Sequence, residues 1–101
     1  MSDINRQTLA SNTPSIASAA TALASNPARI GWYIQNLGTN ALFVLLGAGA
    51  STTVFHKVLK AGAGNDDGSG SEWGQLAGVV YTGLISVAGT SPRYVVLEHA
   101  P

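Results

Sequence analysis

The chain has 101 residues, 46% of them hydrophobic, 10% charged, with formal net charge +0 and no cysteine. This length fits one domain with a thin core, and the lack of cysteine excludes disulfides and thiolate metal sites. Five basic residues scattered along the chain cannot form a phosphate-tracking stripe, so no nucleic-acid partner is expected.

Residues 1–25 are rich in Ser, Ala, Thr and Asn, with Ile4, Leu9, Ile16 and Leu23 as the large apolar side chains. Such a segment buries too little area to order by itself. It reads as an N-terminal arm, either mobile or strapped onto a neighbour, followed by a β domain over residues 26–101. Within it, "TPSIASAATALASNP" admits a short helix with Thr13 as N-cap and Pro14 at the first helical position. It equally admits a strand ending near Leu23. Thr21 and the stop at Asn26 and Pro27 favour the strand.

From Arg29 the signals are β. Ile30, Trp32 and Ile34 alternate with Gly31, Tyr33 and Gln35. Residues 36–40, "NLGTN", have hairpin-loop chemistry. A second strand is predicted over 41–46, closed by "GAGAS" at 47–51, and a third over 52–60. A long glycine-rich loop follows, "AGAGNDDGSGSEWG" at 61–74. A strand over about 78–88 contains Gly83, which signals a bulge or a close backbone approach. "GTSP" then turns into a last strand over 93–99.

Five or six short strands with glycine-rich turns predict an all-β fold, a small antiparallel β-sandwich or jelly-roll-like barrel with an extended N-terminal arm. The run "ALFVLL" at 41–46 does not alternate, so both its faces need cover. The arm or another subunit would cover the outer face; the alternative is a central strand enclosed within the monomer. The low charge points the same way, since an average domain carries about a quarter charged residues. A surface this neutral suits contact with other protein, the alternative being a monomer of modest solubility.

No catalytic constellation emerges. In "NDDGSGSE" at 65–72, Asp66, Asp67 and Glu72 offer oxygens, but aligning Gly68 with the EF-hand glycine puts Ala63 and Gly74 at ligand positions. A solvated turn is the simpler account. His56 and His99 lack the partners of a zinc site. No Ser lies in G-x-S-x-G, and the glycine runs match no phosphate-binding loop. Trp32, Tyr33, Trp73, Tyr81 and Tyr94 suit core or interface anchors better than a stacking surface for sugars or bases. Arg29 and Arg93 each open a strand, placed to pair with carboxylates such as Glu98 or to clamp loop carbonyls across a subunit boundary; a solvent-facing strand terminus is the alternative. The expectation is therefore a non-enzyme with no cofactor and no metal. No apolar run reaches the roughly 18 residues of a membrane span, and "MSDINRQTLASNTPS" lacks the plan of a signal peptide. Synthesis in the cytoplasm is expected, with no membrane partner.

The order "ALASNPAR" (22–29), "YIQNLGTNALFVLLG" (33–47), "YTGLISVAG" (81–89) and "YVVLE" (94–98) resembles a group of small tailed-bacteriophage virion proteins. The likeness covers about residues 21–98 and is a pattern of strands and turns rather than a catalytic motif. It implies a β-sandwich that coats or projects from a phage particle, most simply a capsid decoration ("cement") protein. The partners it implies are the major capsid protein and further copies of the chain, with a trimer at local three-folds. Its implied location is the capsid surface of the virion. Candidate contact residues are Ile4, Leu9 and Ile16 in the arm, Arg29, Phe43 and Leu45, Trp73, and Arg93. A rival expectation is a receptor- or glycan-binding module of a head fibre or tail tip, using Trp73, Asp66 and Asp67.

Overall fold

A computed structural model describes residues 7–10, 20–75 and 80–100 of the chain. The strands are β1 (Gln7–Ala10), β2 (Ala20–Leu23), β3 (Gly31–Asn36), β4 (Leu42–Leu46), β5 (Lys57–Leu59), β6 (Glu72–Gln75), β7 (Ile85–Ala88) and β8 (Tyr94–His99). They form two four-stranded sheets, ordered β1-β8-β3-β6 and β2-β7-β4-β5. All strand pairs are antiparallel. Each strand of the first half pairs with its mirror partner in the second: β1 with β8, β2 with β7, β3 with β6, β4 with β5. One antiparallel ribbon rolled into two layers gives this order, which is that of a jelly roll.

The core lies between the layers. β3 contributes Trp32 and Ile34, and β8 contributes Tyr94 and Val96. The other sheet answers with Leu42 and Val44 from β4, Leu59 from β5, Ile85 and Val87 from β7, and Ala22 and Leu23 from β2. The alternation read for residues 30–35 thus sets the inward face of β3. In β2 a register shift between Thr21 and Leu23 lets both Ala22 and Leu23 turn inward. This strand ends at Leu23, as Thr21 and the following Asn and Pro suggested. The alternative helix from Thr13 to Leu23 is not seen over 20–23, which is strand, and its residues 13–19 lie outside the described residues.

Four local expectations change. First, "NLGTN" is not a hairpin: β3 and β4 belong to different sheets, and residues 37–41 arch between them. The buried Asn36 side chain fixes this arch. Its amide donates to the carbonyls of Asn40 (2.8 Å), Leu59 (3.1 Å) and Lys60 (3.3 Å), and its Oδ1 accepts from Gly38 N–H (2.9 Å). One side chain therefore holds both ends of the arch to the opposite strand. Second, the strand expected over 52–60 shortens to Lys57–Leu59, because Ser51 Oγ accepts from the N–H groups of Thr53 and Val54 and turns the chain. Third, the glycine-rich loop ends early, and residues 72–75 form β6 on β3. Fourth, of the strand expected over 78–88, residues 78–79 lie outside the described residues, 80–84 are not strand, and β7 runs Ile85–Ala88. Gly83 is a close approach, with the Tyr81 ring packed where a Cβ would stand.

Candidate interaction surface

Among the described residues, three of the four exposed large apolar side chains, Val54, Phe55 and Val58, lie on or next to β5, the edge of the β2-β7-β4-β5 sheet. Leu42 and Val44 of β4 face the core, while Phe43 and Leu45 face out and are half-buried. Some of their cover is local. Residues 47–51 fold back so that Ala50 N–H donates to Ser86 Oγ (3.0 Å), and that hydroxyl donates to Gly47 C=O (2.6 Å). Ser86 sits opposite Leu45 in the ladder and is buried by this loop. The chain's own 47–56 segment thus supplies part of the cover that was expected from the arm or another subunit.

The cover stops short of the β5 edge. Phe55 packs on Phe43 with ring centroids 5.1 Å apart at 58°, and Val58 stands opposite Phe43 on the same face. Val54, Phe55 and Val58 remain 52%, 39% and 40% exposed. Phe43, Phe55 and Val58 form an apolar ridge, and Val54 is exposed in the turn just before Phe55. His56 anchors its base: its backbone N–H donates to Val44 C=O (2.8 Å), and its Nδ1 accepts from Leu46 N–H (3.0 Å). His56, Lys57 and Lys60 are all exposed along this edge.

Arg29 points inward, not toward a neighbour. Its side chain is fully buried and pairs with Glu98 at 2.8 Å. The remaining donors reach the carbonyls of Ala24 (2.7 Å), Tyr81 (3.0 Å) and Gly83 (2.9 Å). The loop-carbonyl clamp read from the sequence is present, but within one chain.

Arg93 forms a two-pronged pair with Asp66 at 2.8 and 2.5 Å, on partly exposed ground. The guanidinium hydrogen bond holds the Asp66 carboxyl below its ordinary range, and Asp66 in turn raises Arg93. Asp67 closes its own turn. It accepts from the Ser69 hydroxyl (2.6 Å), Ser69 N–H (2.8 Å) and Gly64 N–H (2.8 Å), and the Ser69 hydroxyl leads in lowering its carboxyl. Asp67 thus closes its own loop, while Asp66 ties that loop to Arg93 at the entry to β8. No cluster of three metal-ligating side chains occurs among the described residues.

Trp73 lies on β6 opposite Ile34, packs against the core, and meets Trp32 edge-on at 5.1 Å. Trp32 Nε1 donates to Gln75 Oε1 at 2.9 Å, which settles the polar end of the indole. The signal for β6 was in the sequence: Trp73 and Gln75 alternate with Glu72 and Gly74, but four residues among glycines are too few to read. On the outer face of the same sheet, Tyr33 donates to Glu72 (2.8 Å); burial and this carboxylate raise its phenol. An open groove of about 310 Å³ runs past Gly31, Tyr33, Gly74 and His99. His99 ends β8 in one sheet, and His56 belongs to the other, so the two histidines do not share a site.

Of the candidate contact residues, Phe43 and Leu45 share the ridge face, while Arg29 and Trp73 are held within the chain and Arg93 is tied to Asp66. Leu9 sits in β1 opposite Leu97. Ile4 and Ile16 lie outside the described residues. Sequence reading missed Val54, Phe55 and Val58, since a strand over 52–60 would have put Phe55 on the face opposite Val54 and Val58. No helix among the described residues is long and apolar enough to cross a membrane. Comparison with protein-family models, curated proteins and solved structures finds no match to this chain.

Proposed function

We propose that this chain is a structural virion protein, a decoration or cement protein that attaches to the outside of a bacteriophage head. The observation that carries the reading is the apolar ridge of Phe43, Phe55 and Val58 with exposed Val54 beside it in sequence; among the described residues Ile30 is the other large apolar side chain left exposed. Scattered apolar residues need no account, but a contiguous group on one face marks a contact surface. The virus class rests on the resemblance carried by residues 22–29, 33–47, 81–89 and 94–98.

The mechanism is adhesion without catalysis. Covering what remains exposed of three such side chains is worth roughly 2–4 kcal/mol, too little for a lasting single contact. On a lattice, many copies engaged together gain effective concentration and staple the shell. The proposed partners are the major capsid protein and sister copies in a trimer. The receptor-binding rival has less support, because Asp66, Asp67 and Trp73 spend their polar and apolar contacts inside the chain.

The test is immunogold labelling of purified particles from cultures that express the chain, with an antibody against it. Regular labelling of heads supports the reading. Labelling at tail tips or fibres transfers support to the rival, and particles free of the chain overturn both.

A further inference from the structure

We infer that Asp67–Gly68 is this chain's site of spontaneous isoaspartate formation, and that Ser69 restrains the reaction by holding the Asp67 carboxylate. The inference concerns the 62–70 turn and stands apart from the adhesive reading.

The chemistry needs an aspartate followed by an unhindered amide. The Gly68 nitrogen attacks Asp67 Cγ, and an N–Cγ bond forms. The amide proton and the carboxyl hydroxyl leave as water, which closes a five-membered succinimide. Water then reopens the ring. Cleavage at Cγ returns aspartate; cleavage at the Asp67 backbone carbonyl leaves the main chain running through Cγ, which is isoaspartate. No oxidant or reductant enters. Glycine is the most favourable successor, because no Cβ obstructs the approach of its nitrogen.

The chain holds one Asp–Gly step and no Asn–Gly step. Residues 65–69 are all exposed, and open space surrounds the place where a Gly68 side chain would stand. Among the described residues the Gly68 N–H donates no hydrogen bond. The neighbouring candidates are closed. Asn65 would need the Asp66 nitrogen, whose N–H donates to Leu37 C=O at 2.8 Å. Asn36 is buried, and the Leu37 N–H that follows it donates to Arg93 C=O at 2.9 Å. Asn26 precedes a proline, which has no N–H. The Asp66 carboxylate is clamped by both prongs of Arg93.

At Asp67 the nucleophile is free and the carboxyl is restrained. Its Oδ1 accepts from the Ser69 hydroxyl (2.6 Å) and Ser69 N–H (2.8 Å), and its Oδ2 accepts from Gly64 N–H (2.8 Å). These bonds favour the ionised form, whereas the protonated form is the one that loses water. They must also break before Cγ can swing onto the Gly68 nitrogen. The product cannot remake them in the same place, because isoaspartate adds one carbon to the main chain and takes one from the side chain.

The experiment incubates the whole folded chain at mildly acidic and at alkaline pH. Isoaspartate is counted with an isoaspartyl methyltransferase and labelled S-adenosylmethionine, and fragmentation of the tryptic peptide 61–93 locates it. It should appear at residue 67, and faster at the acidic pH, where more of the carboxyl is protonated. Ser69→Ala should raise the rate at least about threefold, which is within the worth of one hydrogen bond to a charged group. Ser69→Thr, which keeps the hydroxyl, should stay near the natural rate. Asp67→Glu should remove the signal from this peptide, since a six-membered ring closes far more slowly. Circular dichroism confirms each fold. The natural chain unfolded in guanidinium chloride makes the same comparison without a mutation: freeing the carboxylate should speed the reaction at residue 67 at least about threefold. Isoaspartate arising first at residue 65 or 66 overturns the inference. So does its absence at residue 67 of the folded chain over a period that produces it there in denaturant, or an equal rate in the natural chain and Ser69→Ala.

Discussion

Replacing Arg29 by Ala tests the largest single polar commitment in the fold. The guanidinium is fully buried and donates to Glu98 and to the carbonyls of Ala24, Tyr81 and Gly83. Its loss leaves the Glu98 carboxylate, itself only 9% exposed, with the Asn26 amide at 3.3 Å as its remaining side-chain donor. Breaking a buried pair from one side costs about 3–5 kcal/mol, since the surviving charge stays desolvated. A domain of this size holds about 5–15 kcal/mol in total. Each kcal/mol shifts the melting temperature by about 4–8 °C, so Arg29→Ala should lower it by roughly 12–40 °C. Urea titration followed by circular dichroism measures the loss. The double variant Arg29→Met/Glu98→Leu should recover much of it, because no charge is then left stranded. A loss under about 1 kcal/mol, the range of exposed pairs, would refute the argument that Arg29 joins three chain segments.

Asn36→Ala should cost about 1–3 kcal/mol by leaving the buried Leu59 carbonyl without its donor, measured by the same titration. Gly70→Ala should cost a similar amount, about 1–3 kcal/mol, because the added Cβ would stand against the Asn36 carbonyl; a silent variant would contradict the packing of the arch. Phe55→Asp should change stability by no more than about 1 kcal/mol, the worth of its ring contact with Phe43. The 62–70 turn should respond to acid. Asp66 and Asp67 have carboxyls lowered on folding, so their contribution is whole above the unfolded value of about 3.9 and is lost as pH falls through the lower folded values. Amide chemical shifts of Gly64 and Ser69 should hold steady from neutral pH to about 4 and move below it; movement near neutrality would refute this.

Where side chains alternate over enough residues, the strands could be read directly. Trp32 and Ile34 set β3, and Tyr94, Val96 and Glu98 set β8. The run 42–46 hid its alternation because both faces are apolar: Leu42 and Val44 serve the core, while Phe43 and Leu45 serve the outer face. The 36–40 segment misled for a different reason. Asn and Gly suit a hairpin and an arch equally, and what decides is the reach of the Asn36 amide to Leu59 and Lys60, residues distant in the chain. Strand order was likewise invisible, since nothing local says that β3 joins β6 rather than β4. The ridge could not be found from sequence because it depends on Ser51 ending the turn where it does, which brings Phe55 over Phe43. Position alone offers Glu98 as a carboxylate for either Arg29 or Arg93; the fold gives Glu98 to Arg29 and Asp66 to Arg93.

The mirrored pairing of strands has a kinetic meaning. β4 and β5 are the nearest pair along the chain, and β1 and β8 join its two ends. If β4–β5 zips first, each later pair closes a short gap instead of a chain-length loop. Such a route still depends on distant contacts, and folding should be slow for the chain's size. The β4–β5 turn that would nucleate it also carries Phe55, so the greasy edge would be displayed from the first step, before the rest of the roll exists to shield newly made copies from one another.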